Sequence, residues 1–333
     1  MHKRATLLSG MRPTGPMHLG HLVGVLENWV KLQDEYHCFF MVADWHALMS
    51  EYTNPQTINT YTIDNVKDWL AVGIDHQKSV VFRQSEVKEH LELAMVFSII
   101  TPLSWLQRCP TYKEQLSQLK DRDITHYAFL GYPVLQAADI LLYKAEFVPI
   151  GEDQLPHLEI TREICRRFKH LYKKDVFPLP KPLLTPASRL LGIDNRKMSK
   201  SYNNYIGLQD TEQEIKRKVL SMITDPKKIK RTDPGRPSIC NVYTYHRIFT
   251  EKESKGTELV NQIYNDCKKG NLGCVDCKNM VAIHLIKHLE KFKENRKRYS
   301  TEMVEEILRG GSEIAREKAV QTMHEVKSLV GLL

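Results

Sequence analysis

The chain has 333 residues, 42% of them hydrophobic and 26% charged, with a formal net charge of +8. That length suffices for two domains of ordinary size. The opening MHKRATLLSG lacks a secretory apolar segment, and the longest charge-poor window, HYAFLGYPVLQAADILLY, is broken by His126, Pro133, Gln136 and Asp139. Export and membrane spanning are therefore not expected, and a cytoplasmic protein is.

The charge is uneven. Residues 1–200 hold 24 Lys/Arg against 22 Asp/Glu, whereas residues 201–333 hold 24 against 18. Within the basic part, DPKKIKR (225–231) and KFKENRKR (291–298) read either as solvated helix faces or as contacts for a polyanion.

The N-terminal half alternates short apolar runs with amphipathic stretches: TLLSG (6–10), HLVGVLENWVKL (21–32), CFFMVAD (38–44), a polar helix near 55–71 and SVVFRQS (79–85). This rhythm predicts a parallel sheet with crossover helices, a Rossmann-like α/β domain. LELAMVFSIITPLSWL (91–106) reads as buried helix or as a subunit interface. FVPIGEDQ (147–154) predicts a strand and tight loop, followed by a helix to about 168. FPLPKPLLTP (177–186) predicts a stiff connector that ends the domain near 187. Beyond 207 the pattern turns helical, at 211–223, 257–267, 278–298 and 312–330, with Gly310-Gly311 as a break and Ser312 as an N-cap. The expected domains are thus 1–187, a loop at 188–206 and a helical domain at 207–333.

Three patterns carry chemistry. SGMRPTGPMHLGHLVG (9–24) follows the first strand and opens the first helix, where glycines and backbone N–H groups can approach phosphates. His18 and His21 can donate to phosphate oxygens, and Gly20 leaves room for a purine. Downstream, NRKMSKSYNN (195–204) sets Lys197 and Lys200 beside Ser199 and Ser201, a polycationic loop suited to a triphosphate. Between them YPVLQAADILLY (132–143), read as a helix with Pro133 in its first turn, places Tyr132, Gln136 and Asp139 on one face. A buried carboxylate must pair with a cation or meet a donor, and no Lys or Arg lies one turn away. Separately, Cys240, Cys267, Cys274 and Cys277 suggest a tetrathiolate metal site, whose spacing leaves Zn²⁺ and an iron–sulfur cluster equally open. Cys38, Cys109 and Cys165 read as small core residues.

HLGH and KMSKS resemble the two signatures of class I aminoacyl-tRNA synthetases. The segments LSGMRPTG, VADWHAL, FRQSEV, PTYKEQ, YPVLQAADILLYKAEFVPIGEDQ and HLEITREICRRF are similar to tryptophanyl enzymes of bacterial type. The resemblance implies a Rossmann catalytic domain with a helical interface insertion at about 88–130, a helical anticodon-binding domain and a homodimer. It implies that Asp139 accepts the indole N–H of L-tryptophan, that Tyr132, Gln136 and Gln154 hold the α-ammonium end, and that Leu8 lines the slot. ATP, with Mg²⁺ on its phosphate tail, would meet Arg12, Pro13, Thr14, Gly20, His21, Gly151, Glu152, Asp153, Leu190, Lys197, Met198, Ser199, Lys200 and Ser201. His18, His21, Lys197 and Lys200 would neutralise charge during adenylate formation, before transfer to tRNA(Trp). A subset of these enzymes holds a [4Fe–4S] cluster on a similar cysteine pattern. Gln136 departs from the apolar residue many of them carry, which makes tyrosine the nearest rival substrate. A small-molecule adenylyltransferase, which also uses HxGH, and a non-catalytic RNA binder are the rivals from other classes.

Overall fold

The computed structural model describes residues 4–109, 126–184 and 190–333. The chain begins β1 (Thr6–Met11), α1 (Leu19–His21), a π-helical turn (Leu22–Leu26), α2 (Glu27–Glu35), β2 (His37–Val42), α3 (Asp44–Glu51), α4 (Thr57–Val72) and β3 (Val80–Arg83). It continues through α5 (Glu89–Ile100), α6 (Leu103–Gln107), α7 (Tyr127–Leu142), β4 (Phe147–Ile150), α8 (Leu155–Tyr172) and β5 (Lys181–Leu184). The remainder is helical: α9 (Glu212–Leu220), α10 (Asn241–Tyr245), α11 (Gly256–Lys269), α12 (Cys274–Arg296) and α13 (Thr301–Val330).

Two compact units result, one of Met1–Gly15, Asn28–Ala187 and Ser300–Leu333, the other of Pro16–Glu27 and Ser188–Tyr299. The first contains a parallel five-stranded sheet of order β3-β2-β1-β4-β5. Its interior strand β2 is buried on both faces from Cys38 to Val42, as helices on each side require. Strand order reverses at β1, so the chain leaving β1 and the chain leaving β4 bound the crevice where such sheets bind ligands. Arg12, Pro13 and Thr14 follow β1, and Gly151 to Gln154 follow β4.

Five expectations are corrected. The Pro-rich stretch is not only a connector: Lys181–Leu184 forms β5, an edge strand, where Pro182 costs little because one side of the strand needs no ladder. Pro133 lies well inside α7, which starts at Tyr127 with the His126 side chain capping Phe129 N at 3.3 Å. Gly310-Gly311 does not break the last helix; α13 runs unbroken from Thr301, capped by Ser300. Its Gly311 lies directly on β3, where an added Cβ would stand 1.9 Å from the Val81 carbonyl oxygen. Ser312, the expected N-cap, instead accepts the Arg83 N–H at 3.2 Å. The last helix therefore belongs to the sheet unit, and a single cut near 187 does not divide the chain, since residues 16–27 join the second unit.

The insertion shows two apolar faces. Leu93, Val96, Phe97 and Ile100 of α5 enter the core, while Leu91, Met95, Ile99 and Leu103 are exposed. PTYKEQ (110–115) lies outside the described residues.

The two glycines predict opposite mutational outcomes. Gly310 has open space around its missing Cβ, so Gly310→Ala should stabilise the protein by up to about 1 kcal/mol through helix propensity. Gly311→Ala must push α13 off β3 and should cost on the order of 1–3 kcal/mol or more. Denaturant midpoints of the two variants check this, and equal shifts would contradict the packing.

Candidate active site

In the first unit, Asp139 is not waiting for a donor. Its side chain is 2% exposed and bonded by His46 Nε2 at 2.8 Å on Oδ2, and by Gln84 Nε2 at 2.8 Å and His90 Nδ1 at 2.6 Å on Oδ1. Three elements supply these groups: α3, the turn after β3, and α5. Tyr143, whose hydroxyl burial keeps protonated, lies 2.7 Å from His90 Nε2. It donates there, so the His90 proton sits on Nδ1 and faces the carboxylate. Burial would raise the Asp139 pKa, but the two imidazoles outweigh it and hold the carboxyl down at about 2. The sequence offered no Lys or Arg one turn away, and the cation-like partners prove to be histidines distant in the chain.

Tyr132 and Gln136, half-buried, share the α7 face with Asp139. The Tyr132 hydroxyl lies 2.7 Å from His157 Nε2, and Cys109 Sγ lies 3.6 Å from His157 Nδ1. Burial, with the His46 imidazole, lowers the His157 pKa to about 4, against an opposing pull from Asp153. Burial raises the Tyr132 pKa, with Arg12 acting the other way. Leu8, 3% exposed, lies on β1. Gln154 closes the single 3-10 turn after β4, with its Nε2 3.4 Å from Asp153 Oδ2.

The second unit brings HLGH and KMSKS together. His18 caps α1: its Nδ1 accepts from Gly20 N at 3.1 Å, and His21 Nδ1 accepts from His18 N at 3.2 Å. With both Nδ1 atoms accepting, each neutral ring carries its proton on Nε2. The rings stack 3.8 Å apart. Burial, then the charge of Lys200, lowers the His18 pKa to about 4, and burial, His18 and Lys200 lower that of His21. Met198 Sδ also reaches Gly20 N, at 3.3 Å, and Leu19 N donates to Ile206 O at 3.0 Å. The first backbone amides of α1 are thus already occupied. Gly20 is required by its neighbours: a Cβ there would stand 3.0 Å from the His18 ring.

The KMSKS segment is held by a residue outside it. Buried Asn204 accepts from Ser199 N at 2.8 Å and donates to Asp194 Oδ1 at 2.8 Å and Lys197 O at 3.1 Å. Leu190 and Met198 are buried beneath, and Lys200 opens a short 3-10 turn; the Ser201 side chain lies outside the described set.

The four cysteines also lie in the second unit, as free thiols. Burial and the proximity of Cys240, Cys267 and Cys274 raise the Cys277 pKa. Gly235 makes room for Cys267, since a Cβ there would stand 2.5 Å from Sγ. Among the described residues no set of three or more His, Cys, Asp or Glu side chains converges closely enough to hold one metal ion, so the zinc geometry is not assembled. The basic run at 225–231 is also partly internal. Lys228 is buried and donates to the carbonyls of Arg231 (3.0 Å) and Asp233.

Sequence reasoning missed His46, Gln84, His90, His157 and Asn204. The first two fall inside VADWHAL and FRQSEV, at the carboxyl ends of β2 and β3, a position that itself signals a site in a parallel sheet.

Comparison with known proteins agrees with this arrangement. The profile of the tRNA synthetases class I (W and Y) matches residues 1–290. A tryptophan–tRNA ligase of Thermotoga maritima is 49% identical over 98% of this chain and 99% of its own length, and one of Aquifex aeolicus is 43% identical over 98% and 99%. The crystal structure of a Campylobacter jejuni tryptophanyl-tRNA synthetase complexed with ADP and tryptophan superposes with a TM-score of 0.87 at 29% identity, covering 98% of this chain and all of that one. Among the described residues no helix is long and apolar enough to cross a membrane. A parallel sheet with a switch point, the joined HLGH and KMSKS segments and likeness along the whole chain lead to one assignment: the chain belongs to the class I tRNA synthetases of the tryptophan and tyrosine family.

Proposed function

We propose that the chain is a tryptophan–tRNA ligase, which activates L-tryptophan with ATP to tryptophanyl-adenylate and pyrophosphate and then esterifies tRNA(Trp). The observation that carries this is the 49% identity with such a ligase across almost the full length of both chains. Asp139 supports the choice of amino acid. An ionised carboxylate offers about four accepting positions, and three are taken, leaving one on Oδ2 for the indole N–H. Tyr132, Gln136 and Gln154 hold the ammonium group and Leu8 lines the slot.

Activation needs the tryptophan carboxylate to attack the α-phosphate while the leaving pyrophosphate gathers charge. Positioning and neutralisation supply most of that. The family resemblance gives ATP contacts in each unit: Arg12, Pro13, Thr14 and Gly151 to Asp153 in the first, and Gly20, Leu190 and Lys197 to Ser201 in the second. Mg²⁺ rides on the phosphates. The His18 and His21 Nε2–H groups and the two lysines stabilise the developing charge. Wild-type enzyme should catalyse ATP–pyrophosphate exchange with tryptophan and not with tyrosine. Lys200→Ala should cut that exchange about 10²–10³-fold with little change in tryptophan affinity; equal losses in both would remove Lys200 from this role.

Neutral histidines facing a triphosphate have a measurable consequence. With a pKa of about 4 in the free protein, His18 is uncharged at pH 6, and a polyanion beside it favours the protonated form at the expense of the Gly20 N–H bond that Nδ1 accepts. ATP binding at pH 6 should take up a proton, up to about one per chain, and uptake should vanish near pH 8. Titration calorimetry in buffers of different ionisation enthalpy measures this; identical uptake in His18→Asn would oppose it.

We further assign tRNA binding to the basic second unit, with exposed Lys227, Lys230 and Arg231 among its phosphate contacts. Homodimerisation is supported by the exposed stripe Leu91, Met95, Ile99 and Leu103, spaced four apart on one side of α5 and α6. That none of the seven cysteines is paired in a disulfide suits a cytoplasmic protein.

For the four-cysteine group we favour a [4Fe–4S] cluster over zinc on the family resemblance. Cys240, Cys267 and Cys274 lie near enough to Cys277 to raise its pKa, which places the four thiols in one neighbourhood. Cys240, Cys267, Cys274 and Cys277 would hold it, and when bound it would cross-link the helical unit. Protein purified without oxygen should contain about four irons and matching acid-labile sulfide per chain. Zinc in their place, or neither metal, would refute the cluster.

A further inference from the structure

Tyr132 presents a problem of polarity. A phenol oxygen can receive an ammonium proton only through its lone pairs, so its own O–H must be spent elsewhere. In this chain the receiving atom is defined. His157 Nε2 lies 2.7 Å from the Tyr132 oxygen, and Cys109 Sγ lies 3.6 Å from His157 Nδ1. His157 is 2% exposed and sits in the first full turn of α8, directly after GEDQ; its carbonyl accepts the Thr161 hydroxyl at 3.1 Å, which pins that turn. The two rings meet edge to face, with centroids 5.1 Å apart. Tyr132 carries the proton at neutral pH, and a neutral imidazole has one accepting nitrogen. Two tautomers satisfy these neutral groups, and the one that leaves the Tyr132 lone pairs to an ammonium has Tyr132 O–H donating to His157 Nε2, with the imidazole proton on Nδ1 facing the thiol.

We infer that His157 is a positioning residue for the amino acid: it draws the Tyr132 proton away from the site, so that the phenol oxygen accepts the α-ammonium group. This rests on the reading that Tyr132 holds that group. Without His157 the hydroxyl can turn its proton toward the ligand, and a donor then meets a donor. The penalty falls on binding of the ammonium and not on the indole or on ATP.

The test compares His157→Leu, His157→Gln and Tyr132→Phe in pyrophosphate exchange, with indole-3-propionate, which lacks the ammonium, as a competitive probe. In His157→Leu the KM for tryptophan should rise five- to about a hundredfold, with kcat changed far less and the inhibition constant of indole-3-propionate unchanged. His157→Gln, which retains an acceptor near the Nε2 position, should recover most of the loss. The double variant His157→Leu/Tyr132→Phe should be no worse than Tyr132→Phe alone. If Tyr132→Phe raises the KM while His157→Leu does not, or if His157→Leu weakens tryptophan and indole-3-propionate alike, the inference fails. If Tyr132→Phe itself leaves the KM unchanged, the reading of Tyr132 fails instead.

Discussion

One buried negative charge organises the sheet unit. Asp139 lies on α7 in an otherwise apolar stretch, and a lone carboxylate there would cost several kcal/mol. His46, Gln84 and His90 remove that cost from three directions, and each comes from a different element. Because a buried charge tolerates no loose partner, α3, the turn after β3 and α5 are held in mutual register at the carboxyl ends of the strands. Tyr143 extends the constraint by fixing which His90 nitrogen carries the proton. Fold and site are here the same hydrogen-bond network.

The second unit solves a similar problem with side chains in place of buried charge. His18 and His21 cap one another, which fixes both tautomers with the proton on Nε2. Asn204 fastens the KMSKS segment to Asp194 through a single amide. The motif lysines are thereby carried on a shaped loop rather than a floppy one. If the segment meets a triphosphate, as proposed, it gains by being shaped beforehand, since less ordering is left to binding.

Period and punctuation made much of this legible. The apolar runs at 6–10, 38–44 and 79–85 became β1, β2 and β3, because strands buried on both faces must be apolar throughout. Local rules failed where a distant partner overrode them. Gly310-Gly311 reads as a stop, yet Gly311 is there to let a backbone approach β3, and only the sheet reveals that. Pro182 reads as a linker residue until an edge strand is known to run there. For the site, Tyr132, Gln136 and Asp139 were legible because one helix sets their spacing. His46, Gln84, His90 and His157 were not, since their partners lie 93, 55, 49 and 25 residues away.

The distribution of protons bears on why such a site would choose tryptophan over tyrosine. On the proposed reading both ligands would offer a donor to Asp139, so the carboxylate alone would discriminate weakly. A phenol, however, also brings lone pairs that need a donor, whereas an indole nitrogen brings none. The His46, Gln84 and His90 N–H groups that converge on this point are all spent on the carboxylate. A tyrosine hydroxyl would enter with its oxygen unsatisfied, at a cost of about 1–3 kcal/mol, beyond any misfit of size. Selectivity would then come as much from the donors the protein has used up as from the acceptor it leaves open.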